Sequence, residues 1–123
     1  MGGFRNLRAW QEAVSLAELS AKAIKKLPAC ERYALADQWR RAAYSVVLNI
    51  AEGSSRRGPR EFRRYLDIAR GSLHEIEGIL EMVERLAYLP AEELRSLRIG
   101  RLHCARLVYA LLRKMEAASR RSS

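Results

Sequence analysis

At 123 residues, with 49% hydrophobic and 30% charged side chains, the chain has the length and balance of one globular domain, which excludes wholesale disorder and two well-packed cores. No apolar run approaches the ~20 residues of a bilayer span, Met1 to Trp10 lacks a signal peptide's apolar stretch, and Cys30 and Cys104 stand alone without a Cys-x-x-Cys partner. A single domain over residues 1–123 is therefore expected, cytoplasmic, without membrane contact, and with both cysteines as reduced thiols.

Proline and glycine divide the chain into four segments. In the first, about residues 5–27, Leu7, Trp10, Val14, Ala17, Ala21 and Ile24 recur at spacings of three and four, the mark of one apolar helix stripe. It stops before Pro28, because the residue preceding proline disfavours helix. The second, about 31–54, carries Leu35, Trp39, Ala42, Ala43, Val46 and Ile50, with Gly53 as its expected end. The third, about 59–88, opens on Pro59 and runs through Phe62, Leu66, Ala69, Leu73, Ile76, Leu80, Val83 and Ala87. Beyond Pro90 the fourth, about 91–118, shows Leu94, Leu97, Cys104, Val108, Leu111 and Met115, with Arg101 interrupting the stripe. Nothing alternates with period two and no hairpin signal occurs, so the expected class is all-α. Four amphipathic helices joined by short connections predict an antiparallel up-down-up-down four-helix bundle, with Met1 to Phe4 and Ser119 to Ser123 frayed.

Charge supplies the first functional signal. Lys and Arg number 23 against 14 Asp and Glu, a net +9 that favours polyanionic partners, although the skew of 19 Arg to 4 Lys is also what a GC-rich genome produces. The turn between the second and third segments concentrates Arg56, Arg57, Arg60, Arg63 and Arg64 against Glu61. Arginine at a helix start opposes the macrodipole, and a bound phosphate would relieve that opposition, so these five are the candidate nucleic-acid-binding residues. A simply solvated basic turn is the alternative. Further basic residues decorate the first helix (Arg5, Arg8, Lys22, Lys25, Lys26) and the fourth (Arg95, Arg98, Arg101, Arg106, Arg113, Lys114).

The second helix also carries a polar stripe, Gln38, Arg41, Ser45, Asn49 and Glu52, beside its apolar one. It is read either as helix surface plus one satisfied buried amide, or as a hydrogen-bonded seam within the bundle or between subunits. Gln38, Asn49, Glu52 and, on the third helix, Ser72 are the candidate structural or interface polar residues. Gly71, Gly78 and Gly100 mark close approach by another backbone or tolerated exposed glycine.

Catalytic readings find little footing. The residues three before His74 and His103 are Gly71 and Gly100, so the Glu-x-x-His pairs of di-iron bundles are missing. Neither a nucleophile elbow nor a Gly-Lys-Ser/Thr phosphate loop occurs. Glu52, Glu75, Glu81 and Glu84 leave a metal-dependent hydrolase as a third alternative. No catalytic residue, metal or cofactor is assigned.

The block Ser45-Val46-Val47-Leu48-Asn49-Ile50-Ala51-Glu52-Gly53, then Glu61-Phe62 and Ile68-Ala69-Arg70-Gly71-Ser72-Leu73, resembles the four-helix-bundle family first noted as products of intervening sequences in 23S ribosomal RNA genes. Leu7-Arg8-Ala9-Trp10-Gln11-Glu12-Ala13, Leu27-Pro28, Glu31-Arg32 and Gln38 are similar to the same family, over roughly residues 4–115. The family often has proline between Val46 and Asn49, where this chain has Val47-Leu48. The resemblance implies a ring-like homopentamer and kinship with the accessory proteins of diversity-generating retroelements, which bind nucleic acid and partner a reverse transcriptase. The expected function is a non-enzymatic, oligomeric nucleic-acid-binding protein, with a protein-interaction scaffold as the alternative.

Overall fold

The structure, a computed structural model, describes residues 3–122 and consists of helices α1 (Arg8–Ile24), α2 (Leu35–Ser54), α3 (Gly58–Arg85) and α4 (Ala91–Ser122), with 3-10 turns at Gly3–Asn6 and Ala29–Glu31. Pairings between helices fix their directions. Ser45 meets Ser72 and Gly53 lies on Phe62 and Tyr65, so α2 and α3 are antiparallel. Arg63 pairs with Glu116 and Arg98 with Glu84, so α3 and α4 are antiparallel too. Lys26 pairs with Glu93 while Ala9 lies beside Cys104, which sets α4 antiparallel to α1. Each helix packs on its chain neighbour and α1 closes the square on α4, with α2 against α3 the most extensive pair. This is the expected up-down-up-down bundle.

The expected boundaries shift at several ends. The first helix starts at Arg8 because the backbone before it forms the 3-10 turn, where the Gln11 side chain donates to the Arg5 carbonyl at 2.9 Å and Phe4 lies against Trp10. The second starts at Leu35, not 31, because the chain leaving Pro28 spends one 3-10 turn reversing direction. There the Glu31 carboxylate accepts the Leu35 N–H at 3.4 Å and the Tyr88 hydroxyl at 2.7 Å, tying the α1–α2 connection to the α3–α4 connection. That hydrogen bond pushes the Tyr88 phenol up to about 12. The third helix ends at Arg85, with Tyr88 N–H on the Val83 carbonyl and Ala87 N–H on that of Glu84. This left-handed cap usually takes glycine; here Ala87 adopts it, at φ 58°, so it leaves the apolar stripe expected of it. The fourth helix extends to Ser122 rather than fraying at Ser119, and Phe4 is ordered at the other end; Met1, Gly2 and Ser123, also expected to fray, lie outside the described residues.

The core runs the length of the bundle through Trp39, Ile50, Leu66, Leu73, Ile76, Leu80, Leu97 and Val108, all fully buried. On α1 the buried face is Ala9, Ala13, Leu16, Ser20, Ala23 and Ile24: Ile24 is buried as expected, while the other five lie one residue back from the expected stripe and so about 100° around the helix. Leu7, Trp10 and Ala17 of the expected stripe are half-buried and pack against the core from its edge. The Cys104 thiol is buried, which pushes it up to about 12, while Cys30 is exposed. Among the described residues, no helix is long and apolar enough to cross a membrane.

Candidate nucleic-acid interface

The α2–α3 turn is built by Gly58, whose φ of 80° suits only glycine comfortably, followed by Pro59, whose fixed φ suits the first turn of a helix. No side chain caps the start of α3, so its first N–H groups point out of the turn unclaimed by a capping group. The five turn arginines divide into two sets. Arg56 pairs with Glu52 and lies 5.2 Å from the centre of the Tyr65 ring. Arg64 reaches Glu61 at 3.4 Å, donates to the Tyr65 hydroxyl at 3.4 Å and covers the same ring at 4.8 Å; the Glu61 hydrogen bond raises its pKa. Arg63 crosses to Glu116 of α4 at 3.5 Å. Arg57 and Arg60 are exposed and form no ion pair among the described residues. Three of the five charges are thus partly offset by local carboxylates, an arrangement that Glu61 alone foreshadowed in sequence.

The topology gathers further charge at the same end. The α2–α3 turn and the end of α4 share one pole of the bundle, so Arg113, Lys114 and Arg121 join the turn arginines there, while α1 starts farther down, with Ala9 beside Cys104. Arg8 and Lys114 line one shallow groove with Leu7, Leu107 and Leu111. In sequence these residues belong to separate helices, and only the antiparallel path unites them. The opposite pole mixes Lys25, Lys26, Arg32 and Arg85 with Glu31, Glu84, Glu92 and Glu93, so it carries no comparable excess.

The polar stripe of α2 resolves into two parts. Asn49 Nδ2 donates to the Ser45 carbonyl at 2.9 Å and to Ser45 Oγ at 3.1 Å, and Ser72 Oγ donates to Ser45 Oγ at 2.7 Å. This seam lies within one chain and centres on Ser45. Gln38 is exposed on a groove shared with Asp37, Arg41, Ser45, Ser72 and Glu75, and Glu52 serves Arg56. The glycines separate as well. A Cβ on Gly53 would stand 2.7 Å from Tyr65 Cβ and 2.8 Å from Phe62 Cδ1, so this residue lies inside α2 and lets α3 approach. A Cβ on Gly71 or Gly78 would meet nothing within 4 Å, and one on Gly100 only ordinary contact with Leu16 and Leu19.

The glutamates considered for a metal are dispersed by ion pairing, Glu52 to Arg56 and both Glu81 and Glu84 to Arg98. Among the described residues no group of three His, Cys, Asp or Glu is placed to hold a metal ion.

Comparison with known proteins finds a match to the family described as 23S rRNA-intervening sequence protein, over residues 5–110. Among solved structures the fold is similar to that of a protein with unknown function from the S23 ribosomal protein family of Bacteroides thetaiotaomicron. The TM-score is 0.78 at 21% identity, and the alignment covers 85% of this chain and 97% of that one. Curated proteins yield no match.

Proposed function

The chain belongs to the 23S rRNA-intervening sequence protein family, and from that premise we propose that it is a non-enzymatic, oligomeric nucleic-acid-binding protein whose basic pole holds phosphates without reading sequence. One observation carries this reading: Arg57 and Arg60, without an ion pair among the described residues, sit at an uncapped helix start on the pole that also gathers Arg113, Lys114 and Arg121, with Arg8 beside Lys114. Phosphates there would meet both side-chain charge and free N–H groups. Arg56, Arg63 and Arg64 add to the field while their carboxylate partners hold them in place.

Assembly into a homo-oligomer, with the family's ring-like pentamer as the specific expectation, is supported by apolar side chains left outside the core on α2 and α3. Leu48 is 64% exposed, and Ile68 and Met82 are exposed as well. In a ring the basic poles would repeat around one rim and bind with avidity. A reverse transcriptase remains the candidate protein partner. The same exposed residues favour the second reading, a scaffold that binds protein alone.

The test is fluorescence anisotropy with labelled RNA and DNA across a salt series, alongside light scattering for mass. Binding should weaken linearly in log–log form, and Arg57→Gln with Arg60→Gln should flatten the slope by about two. A wild type that binds neither nucleic acid at physiological salt rejects the binding reading, and a mass equal to one 14.1 kDa chain rejects the oligomer.

A further inference from the structure

Two tyrosines of the bundle are each flanked by two arginines, and the pairs differ in what else holds them. At Tyr65 both arginines are committed, Arg56 to Glu52 and Arg64 to Glu61, and the base of the ring lies under Gly53. At Tyr109 of α4 the ring centre is 5.9 Å from the Arg70 guanidinium of α3 and 5.8 Å from that of Arg113. Arg113 also donates to the Tyr109 hydroxyl at 3.3 Å, while neither arginine forms an ion pair among the described residues. Tyr109 itself is 48% exposed.

We infer that Tyr109, between Arg70 and Arg113, is a stacking platform for a base of single-stranded nucleic acid lying along the α3–α4 seam. The chemistry is complementary: a base takes the aromatic face, and the guanidinium groups that lie over the ring, held by no carboxylate among the described residues, move aside to the phosphates next to it. A duplex keeps its base faces covered by neighbouring pairs, so a ring set between two helices can stack only on an unpaired base.

The seam also gives the strand a direction and an end. Arg63 and its partner Glu116 lie toward the basic pole, about two helical turns or ~10 Å from Arg70 along α3. Arg106 is exposed one turn beyond Tyr109. Asp67 and Glu116 are the acidic residues of this stretch, and Glu116 is held by Arg63. Farther on, the cations of the seam are engaged: the Arg101 side chain, only 13% exposed, is drawn to the Leu73 carbonyl and Glu77, and Arg98 is held by Glu81 and Glu84. The strand therefore occupies the half of the seam nearest the pole.

This inference rests on the nucleic-acid reading proposed above, and the experiment separates the two. Affinities for a labelled oligothymidine and for a labelled duplex are measured with wild type, Tyr109→Ala and Tyr109→Phe. Tyr109→Ala should lose roughly 5- to 100-fold for the single strand at unchanged salt slope, Tyr109→Phe should stay near wild type, and duplex affinity should not move. Tyr109→Trp provides a direct signal, since an indole there should be quenched when oligothymidine is added. Wild-type binding with equal single-strand affinity in Tyr109→Ala, or an unquenched Tyr109→Trp, overturns the platform and leaves the basic pole standing. Absence of binding by wild type overturns both.

Discussion

The two seams of α3 are built from different chemistry. Toward α2, contact is close and neutral: Gly53 removes a side chain so that Phe62 and Tyr65 can approach, and about two turns away the Ser72 hydroxyl donates across to Ser45, which Asn49 holds from within α2. Toward α4, contact is made by long charged side chains, Arg63 with Glu116, Arg98 with Glu81 and Glu84, and Arg101 with Glu77. A small-residue seam depends on shape and fails when volume is added. An ion-pair seam depends on groups that water and salt already solvate, so it tolerates change and leaves charge accessible to other anions.

Gly53→Ala should break the first seam most strongly, because its methyl meets the Tyr65 Cβ and the Phe62 ring; a loss of about 1–3 kcal/mol is expected from the urea midpoint. Asn49→Ala should lower stability by about 1–2 kcal/mol in thermal melts, since its half-buried amide donates twice to Ser45. Gly71→Ala and Gly78→Ala, facing open space, should each raise single-chain stability by about 0.5–1 kcal/mol. If those same changes lower the oligomer mass in light scattering, a second copy covers the face. On the charged seam, Arg63→Gln should shift the melting free energy by less than about 0.5 kcal/mol, and raising the salt should erase even that. Equal sensitivity of both seams would remove the distinction.

The four helices are legible in sequence because Pro28, Pro59 and Pro90 mark the breaks and the apolar spacing is regular between them. The face of α1 is not. Four of its six buried residues, Ala9, Ala13, Ser20 and Ala23, are less apolar than the flanking Trp10 and Val14, so hydrophobicity centres the stripe one residue too far along, and only Ile24 is common to the expected and the buried sets. Nor does sequence distinguish Gly53 from Gly71, because a glycine's value depends on the helix opposite it. The arginine cluster at Arg56 to Arg64 is visible as a run, but its partial neutralisation by Glu116 and its union with Arg113, Lys114 and Arg121 depend on how α4 returns. Tyr109 gives no sequence signal of its own, since Arg70 comes from another helix.

The short turn between α2 and α3 has a kinetic meaning. These helices share the most extensive contact and are joined by only Ser55 to Arg57, so their contacts close the smallest loop in the bundle. Docking α1 on α4 closes the largest, with Ala9 and Cys104 at its ends. Loop-closure entropy then orders the events, with the α2–α3 hairpin first and the square shut last. Native-state hydrogen exchange should accordingly find the slowest amides around Val46, Ile50, Leu66 and Ala69, and α1 as the first part of the bundle to open.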